Sequence, residues 1–316
     1  MGLLGFVKRL LSPSSPTPAA AATPQRLSAE PGPAAGTLTL AELARRLNVS
    51  PDHLTGMAVE YREFLLPKRS AGFRKIASPS GDLKRLQRRI LTRLLRRLAT
   101  HGAARGFQPG HSIVTNALPH RGAAVLIRMD IRDFFATTTA RRVRDYFARI
   151  GWQADAADTL TRLCTYNGSL PQGAPTSPRL SNLLNFRLDT RLTAMAAKLG
   201  GAYTRYADDL TFSLPADDHK AVAAVIRFTK GVLAEEGYKL HQDRKLQICR
   251  RHDRQLVTGL VVNDRVNLPR RTRRWLRAVE HRLATGRQTT LTAQQLAGWM
   301  SLREMVHSQT ADKPKA

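Results

Sequence analysis

Acidic residues are scarce in this chain: 24 Asp and Glu stand against 51 Lys and Arg, a formal net charge of +27 over 316 residues. That deficit exceeds anything solubility requires and points to a polyanionic partner, nucleic acid before anionic membrane. Cysteine is scarcer still. Cys164 and Cys249 form neither a metal-ligand spacing nor a disulfide framework, as expected of a protein in a reducing cytosol. No apolar run reaches membrane-spanning length. Met1–Leu11 places its charges after a short apolar stretch and has no clear cleavage site, so it reads as a small amphipathic helix or a frayed end. What the chain does not lack is material for a core. A hydrophobic content of 42% excludes a mainly disordered basic protein, and 316 residues suffice for one large core or two to three subdomains.

Where acids do occur, two stretches stand out. Tyr206-Ala207-Asp208-Asp209 lies between two runs with strand character, Ala202–Tyr206 and Leu210–Ser213. Aromatic and β-branched residues around a tight polar centre read as a hairpin. A turn ordinarily needs one Asp with Gly or Asn beside it, and a solvated acidic turn is the plain reading of an isolated Asp-Asp. Two adjacent carboxylates nevertheless repel each other unless a cation sits between them. Upstream, Val125-Leu126-Ile127-Arg128-Met129-Asp130-Ile131 is an apolar run that delivers one carboxylate at the end of a buried strand, just ahead of Phe134-Phe135. Acids remote in sequence that converge in this way could hold two hard cations. Mg2+ takes oxygen ligands and keeps positions open for substrate phosphates. A pair of such ions clamps both oxygens of an in-line phosphoryl displacement.

Taken in order, the chain passes first through Ser12–Gly36, rich in Pro, Ala and Ser and without periodicity, so residues 1–37 are expected to form a flexible extension. Leu40–Leu47 and the segment from Ser50 predict a short helix pair resembling a small helix-turn-helix, a common arrangement. Tyr61–Pro79 is extended and carries Arg74-Lys75-Ile76 after Gly72, cations suited to gripping a triphosphate. One helix is predicted from Leu83 to Leu98, with Leu83, Leu86, Ile90, Leu94 and Leu98 on its buried face. Its other faces carry Lys84, Arg85, Arg88, Arg89, Arg93, Arg96 and Arg97, which favour a phosphate backbone. Asn116 and His120 read locally as turn hydrogen-bonding groups.

Leu170-Pro171-Gln172-Gly173-Ala174-Pro175 is a rigid loop whose backbone could lie against a base pair, with Gln172 as a polar contact. It feeds a helix with Leu184, Leu188, Leu192 and Met195 on one stripe. Another helix, over His219–Glu236, ends at Gly237. Gln255–Asn263 has strand character. Beyond it Arg270, Arg271, Arg273, Arg274 and Arg277 surround Trp275, a mixture suited to RNA backbone plus stacking. A last helix starts from a capping box at Thr292 and Gln295.

The order of these motifs resembles that of reverse transcriptases: Arg74-Lys75-Ile76, Asp130 with Phe134-Phe135, Leu170-Pro171-Gln172-Gly173, Tyr206-Ala207-Asp208-Asp209, and a segment from Gly237 to Lys245. The likeness runs from about Leu38 to Val306. Within that family the chain is most similar to the bacterial retron type, through Asn116-Ala117-Leu118-Pro119-His120 and Val257-Thr258-Gly259. The resemblance implies an α+β, right-hand polymerase fold. Fingers and palm would span 38–262, the fingers mainly 60–122 and 137–176 and the palm strands within 123–135 and 202–213. A helical, RNA-binding thumb would cover 263–316.

By the same resemblance Asp130, Asp208 and Asp209 are catalytic and hold two Mg2+ ions, with the backbone of Ile131. Arg74, Lys75, Phe135, Gln172 and Lys245 would bind the incoming deoxynucleotide, Phe135 as the ring that excludes a ribose 2′-hydroxyl. Asn116, His120, Val257, Thr258 and Gly259, with Arg273, Arg274 and Arg277, would bind RNA. After Gly237 the chain departs from the family pattern, with His241 where Asn is common and Leu246 where Thr is common. That leaves open whether Arg244 or Lys245 would protonate the leaving pyrophosphate. The implied partners are dNTPs, a cognate structured noncoding RNA primed from its own 2′-hydroxyl, and the branched RNA–DNA product, multicopy single-stranded DNA. An effector protein encoded nearby in antiphage defence is also implied, all in the bacterial cytoplasm and without a membrane. Two other readings stay open: another bacterial reverse transcriptase, of the group II intron or diversity-generating kind, and a catalytically silent RNA-binding scaffold. The intact acids weigh against the last, because carboxylates beside a polyanion are unfavourable without a metal.

Overall fold

The computed structural model describes residues 37–67, 72–241 and 246–310. The expected terminal helix and linker, Arg244 and Lys245 lie outside the described residues. Two short helices open the fold, α1 (Leu40–Leu47) and α2 (Pro51–Gly56), each begun by a hydroxyl cap: Thr39 accepts from the Glu42 amide and Ser50 from that of His53. Strands β1 (Tyr61–Pro67) and β2 (Phe73–Pro79) pair as an antiparallel hairpin. Helix α3 (Gly81–Arg93) buries Leu83, Leu86 and Ile90. The helix expected to continue to Leu98 instead tightens into a 3-10 turn over Leu95–Arg97. There Arg179 directs its guanidinium at the carbonyls of Leu95, Arg96 and Leu98. Carbonyls at a helix end have no partner within the helix, and a side chain from a distant element supplies it.

Helix α4 (Ile113–Ala117) leads through a 3-10 turn at Leu118–His120 into β3 (Val125–Asp130), then α5 (Phe134–Thr137), α6 (Ala140–Arg149) and α7 (Ala154–Cys164). Two helices, α8 (Ser177–Leu184) and α9 (Phe186–Lys198), replace the single one expected. The break falls at Asn185, whose amide donates to the Ser181 carbonyl and to the Tyr238 hydroxyl. Then come β4 (Ala202–Tyr206), β5 (Asp209–Leu214), α10 (His219–Glu235) and β6 (Gln247–Arg250). The strand expected over Gln255–Asn263 is folded in two, as β7 (Leu256–Val257) and β8 (Leu260–Val261) around Thr258 and Gly259 at φ 45° and 84°. Positive φ at both turn residues is the type I′ geometry favoured in two-residue hairpin loops. Helices α11 (Arg270–Ala284) and α12 (Ala293–Thr310) complete the described chain.

The central sheet has four antiparallel strands in the order β4-β5-β3-β6. Side chains alternate between its faces. Val125, Ile127, Met129, Tyr203, Leu210 and Phe212 pack against α9 and α10 in one apolar cluster, while Leu126, Arg128 and Asp130 point the other way. A second cluster joins α1, α3, α6, α7 and α8 through Leu43, Leu83, Ile90, Phe147 and Leu160. The third runs through Val114 of α4, Leu126 of the sheet, Val257 and Leu260 of the small hairpin, and Leu276 and Val306 of the last two helices. The architecture is thus α+β as expected, and the last two helices share a core with the sheet. No helix among the described residues is long and apolar enough to cross a membrane.

Candidate active site

Strands β3 and β5 bring the three acids to one end of the sheet. Asp130, the last residue of β3, is paired in register with Asp209, the first of β5. Residues directly opposite on antiparallel strands share a face, so both side chains leave the sheet on the side away from α9 and α10. Asp208 lies one residue back in the turn, and its carbonyl accepts from the Ile131 amide at 3.0 Å. The Asp130 carbonyl in turn accepts from the His241 amide at 2.9 Å. All three acids are partly exposed. Basic side chains lie beside them: Arg128 Nη2 is 3.5 Å from Asp209 Oδ1, its Nη1 donates to Gln247 Oε1 at 3.2 Å, and the His241 ring Nε2 lies 3.6 Å from Asp130 Oδ2.

No group of three or more His, Cys, Asp or Glu side chains among the described residues forms a metal cage. Mg2+ in phosphoryl-transfer sites is held by one or two carboxylates together with water and substrate phosphates, not by an all-protein cage. The acid pair across β3 and β5 supplies hard oxygen donors of that kind, with neither thiolate nor imidazole dominating. In chemistry and number the residues fit such an ion.

Beneath the acids the turn is anchored. Arg205 and Asp189 are both fully buried. Arg205 Nε and Nη2 donate to the two Asp189 oxygens at 2.8 and 2.6 Å, and Nη1 donates to Asn182 Oδ1 at 3.1 Å and to the Ala207 carbonyl at 3.2 Å. Burial opposes the charge on this guanidinium, but the Asp189 carboxylate outweighs it and raises the pKa. The Tyr203 hydroxyl donates to the same carboxylate at 3.0 Å. Ala207 itself is left-handed, at φ 58°.

On the β1–β2 hairpin, Arg74 and Lys75 are exposed on β2, opposite Leu66 and Leu65, and Lys75 Nζ pairs with Glu63 Oε2 at 2.8 Å. The Ala77 amide donates to the Gln172 carbonyl at 2.9 Å. Strand β2 and the Pro171-Gln172-Gly173 loop are therefore stitched together, which brings the expected nucleotide-binding residues of both into one neighbourhood. Gly173 makes the approach possible. Its φ is +137°, and a Cβ there would lie 2.5 Å from the Ala77 carbonyl oxygen. Phe135 is half-buried, with its ring 5.4 Å from that of Phe134 and 6.1 Å from that of the exposed Phe107.

Of the residues expected to touch RNA, three have buried side chains: Asn116, His120 and Val257. His120 Nδ1 lies 2.9 Å from Ser213 Oγ and Nε2 2.8 Å from Thr204 Oγ1, which seats the 3-10 turn on the sheet. Burial, and then the charge of Arg105, push its pKa down to about 3, so the ring is neutral. Val257 belongs to the third apolar cluster. All three side chains are enclosed by the fold. The Thr258 hydroxyl donates to the Ile113 carbonyl at 3.0 Å, leaving Gly259 exposed at the hairpin tip. On α11, Arg274 and Arg277 are exposed, whereas Arg273 is partly buried and donates to the Leu268 carbonyl at 3.2 Å. Sequence reasoning missed Arg205, Asp189, Arg128 and Gly106. The available signal was a charge on the apolar face of a strand, since Arg205 alternates with Tyr203 toward the helices.

A family model described as reverse transcriptase (RNA-dependent DNA polymerase) matches residues 66–276. Among curated proteins, the Retron Mx162 reverse transcriptase of Myxococcus xanthus is 39% identical over 73% of this chain and 54% of its own length. The Retron Mx65 reverse transcriptase of the same organism is 37% identical over 80% and 63%. For the Retron Ec86 reverse transcriptase of Escherichia coli the identity is 34% over 79% and 78%. The chain therefore spans less than two thirds of the length of the first two relatives.

Proposed function

The chain belongs to the reverse transcriptase family, and from that premise we propose that it is a retron-type RNA-directed DNA polymerase. Its substrates would be dNTPs and a structured noncoding RNA, part of which it copies into single-stranded DNA. The observation that carries this reading is the in-register pairing of Asp130 with Asp209, beside Asp208, at the open end of the sheet. Asp130 and Asp208, with Asp209 and the Ile131 backbone beside them, would hold Mg2+. Bound there, such ions lower the pKa of an attacking hydroxyl and offset the charge developing on the transferred phosphoryl group.

The chain's own side chains bind and orient. Arg74 offers a planar fork to the triphosphate, and Lys75 a point charge beside it. Gln172, fixed through its carbonyl to β2, holds its side chain toward the base. Phe135 is braced by Phe134 and Phe107, so its ring cannot retreat from a 2′-hydroxyl, and the site selects deoxynucleotides. Arg273, Arg274 and Arg277 would take the nucleic-acid backbone, and the net charge of +27 would speed its capture. Lys245, priming from an internal 2′-hydroxyl, a branched RNA–DNA product, a cytoplasmic setting and an antiphage effector partner belong to the same proposal through the likeness to retron enzymes.

The test is dNTP incorporation on a primed RNA template with Mg2+, together with sequencing of the nucleic acid that co-purifies. Incorporation by the natural chain and its loss in Asp208→Asn, with RNA binding kept, supports the reading. Unchanged synthesis by Asp208→Asn overturns the metal role, and a purely linear co-purifying product overturns the retron type.

A further inference from the structure

An arginine with no exposed surface stands two residues before the left-handed turn residue of the acidic hairpin. Besides its contacts with Asp189, Asn182 and Ala207, Arg205 is held along its backbone. Its amide donates to the Ala103 carbonyl at 2.8 Å, and its carbonyl accepts from Arg105 at 2.8 Å and Gly106 at 3.4 Å. Asn182 extends the network by donating from Nδ2 to the Gly106 carbonyl at 2.8 Å. Gly106 lies flat against the turn, where a Cβ would sit 2.7 Å from the Ala207 nitrogen. The guanidinium carbon stands 5.8 Å from the centre of the Phe134 ring.

Stability alone does not call for this arrangement. Replacing a buried ion pair by apolar side chains of similar volume is often neutral or stabilising, and Leu188, Leu192 and Phe212 already line the surrounding cluster. What an apolar pair could not do is hold a carbonyl. The carbonyl held is that of Ala207, a residue in a left-handed conformation that is unfavourable for a non-glycine and persists where its surroundings enforce it. The next residue is Asp208.

We propose that Arg205 is a positioning residue for the metal-binding acids: with Asp189 and Asn182 behind it and Gly106 alongside, it clamps the Ala207 turn so that Asp208 is presented beside Asp130. The inference rests on the polymerase reading of the site, and Arg205 itself touches no substrate.

Two variants load the clamp from different sides. Arg205→Lys keeps a cation beside Asp189 but lacks the fork that serves Asp189, Asn182 and Ala207 together. Gly106→Ala leaves the ion pair intact and presses a methyl group onto the turn. Each is compared with the unaltered protein by Mn2+ binding, read from water-proton relaxation without RNA or nucleotide, by the Mg2+ midpoint of DNA synthesis, and by thermal unfolding. Both variants are expected to bind Mn2+ about tenfold more weakly or worse and to raise the Mg2+ midpoint, while the KM for dNTP at saturating metal moves less. A lower unfolding temperature with unchanged Mn2+ affinity and Mg2+ midpoint would make Arg205 merely structural and overturn the proposal. Should Arg205→Lys fail to fold, Gly106→Ala decides alone, and unchanged Mn2+ affinity in it overturns the clamp. An unaltered protein that binds Mn2+ but makes no DNA removes the polymerase reading and leaves the Mn2+ comparison standing. One that binds no Mn2+ removes both.

Discussion

The β4–β5 hairpin and the β1–β2 hairpin are both antiparallel pairs with charged residues near the tip, and they are held in opposite ways. In β4–β5 most positions are buried, β5 is flanked on both sides, and the turn is tied down by Arg205 from below. In β1–β2 most positions are exposed, including Leu65 at 62% and Phe73 at 65%, and among the described residues the strands pair only with each other. Attachment is at the base, where the Ala77 amide donates to the Gln172 carbonyl and the Gln87 side-chain amide donates to the Tyr61 hydroxyl. The difference follows from the tasks proposed for them. Groups that stabilise developing charge lose about a hundredfold in rate for an ångström of displacement. A grip on a substrate that must enter and leave works from an element with few buried contacts, whose local opening costs little.

Ion pairs on the two hairpins provide the largest contrast. Asp189→Leu would leave the Arg205 guanidinium buried without its carboxylate, and a loss of roughly 3–5 kcal/mol is expected in denaturant unfolding. A loss below about 1 kcal/mol would mean that the two hairpins are not held differently. Gly173→Ala comes next. The added methyl group would meet the Ala77 carbonyl in a backbone conformation that L residues avoid, costing roughly 1–3 kcal/mol and raising the KM for dNTP more than it lowers kcat. Equal effects on both constants would place the loop nearer the chemistry than the grip.

A third contrast is in pH. The neutral His120 ring is seated on β4 and β5. The unfolded chain protonates this residue below about 6.5, whereas the folded one resists until about 3. Unfolding therefore takes up a proton throughout that window, and stability must fall as pH falls through it, by on the order of a few kcal/mol. His120→Gln should flatten that part of the acid limb, and an unchanged slope would show that the ring is not held neutral. Smallest of all, Lys75→Ala should leave the unfolding midpoint almost where it was, because its pair with Glu63 is largely exposed. Arg74→Ala should likewise leave unfolding unaltered while raising the KM for dNTP.

Much of the site could be read ahead of the fold because its signals are local. Asp130 ends an apolar run and Asp208-Asp209 sit at a turn between two alternating segments, and the strand register merely brings them opposite each other. Where partners are set by three-dimensional packing, the same reasoning stopped. Asp189 is 16 residues from Arg205, on a helix that returns over the sheet, and nothing in its own neighbourhood announces a buried pair. His120 reads as a local turn hydrogen-bonding group because Thr204 and Ser213, its actual partners, are 84 and 93 positions away. The long basic helix ended early for a similar reason, since Arg179 offers its carbonyls a better partner than another turn would. Helical periodicity likewise ran straight through Asn185, where a bond to the Tyr238 hydroxyl favours a break.

At position 207 the left-handed backbone also restricts which descendants of this gene can survive. At φ 58° a β-branched side chain would crowd the neighbouring carbonyl, so valine or isoleucine there must drag the adjoining aspartates out of place. Glycine or asparagine would sit more easily. One backbone angle thus filters drift at this codon before any selection on nucleotide chemistry begins.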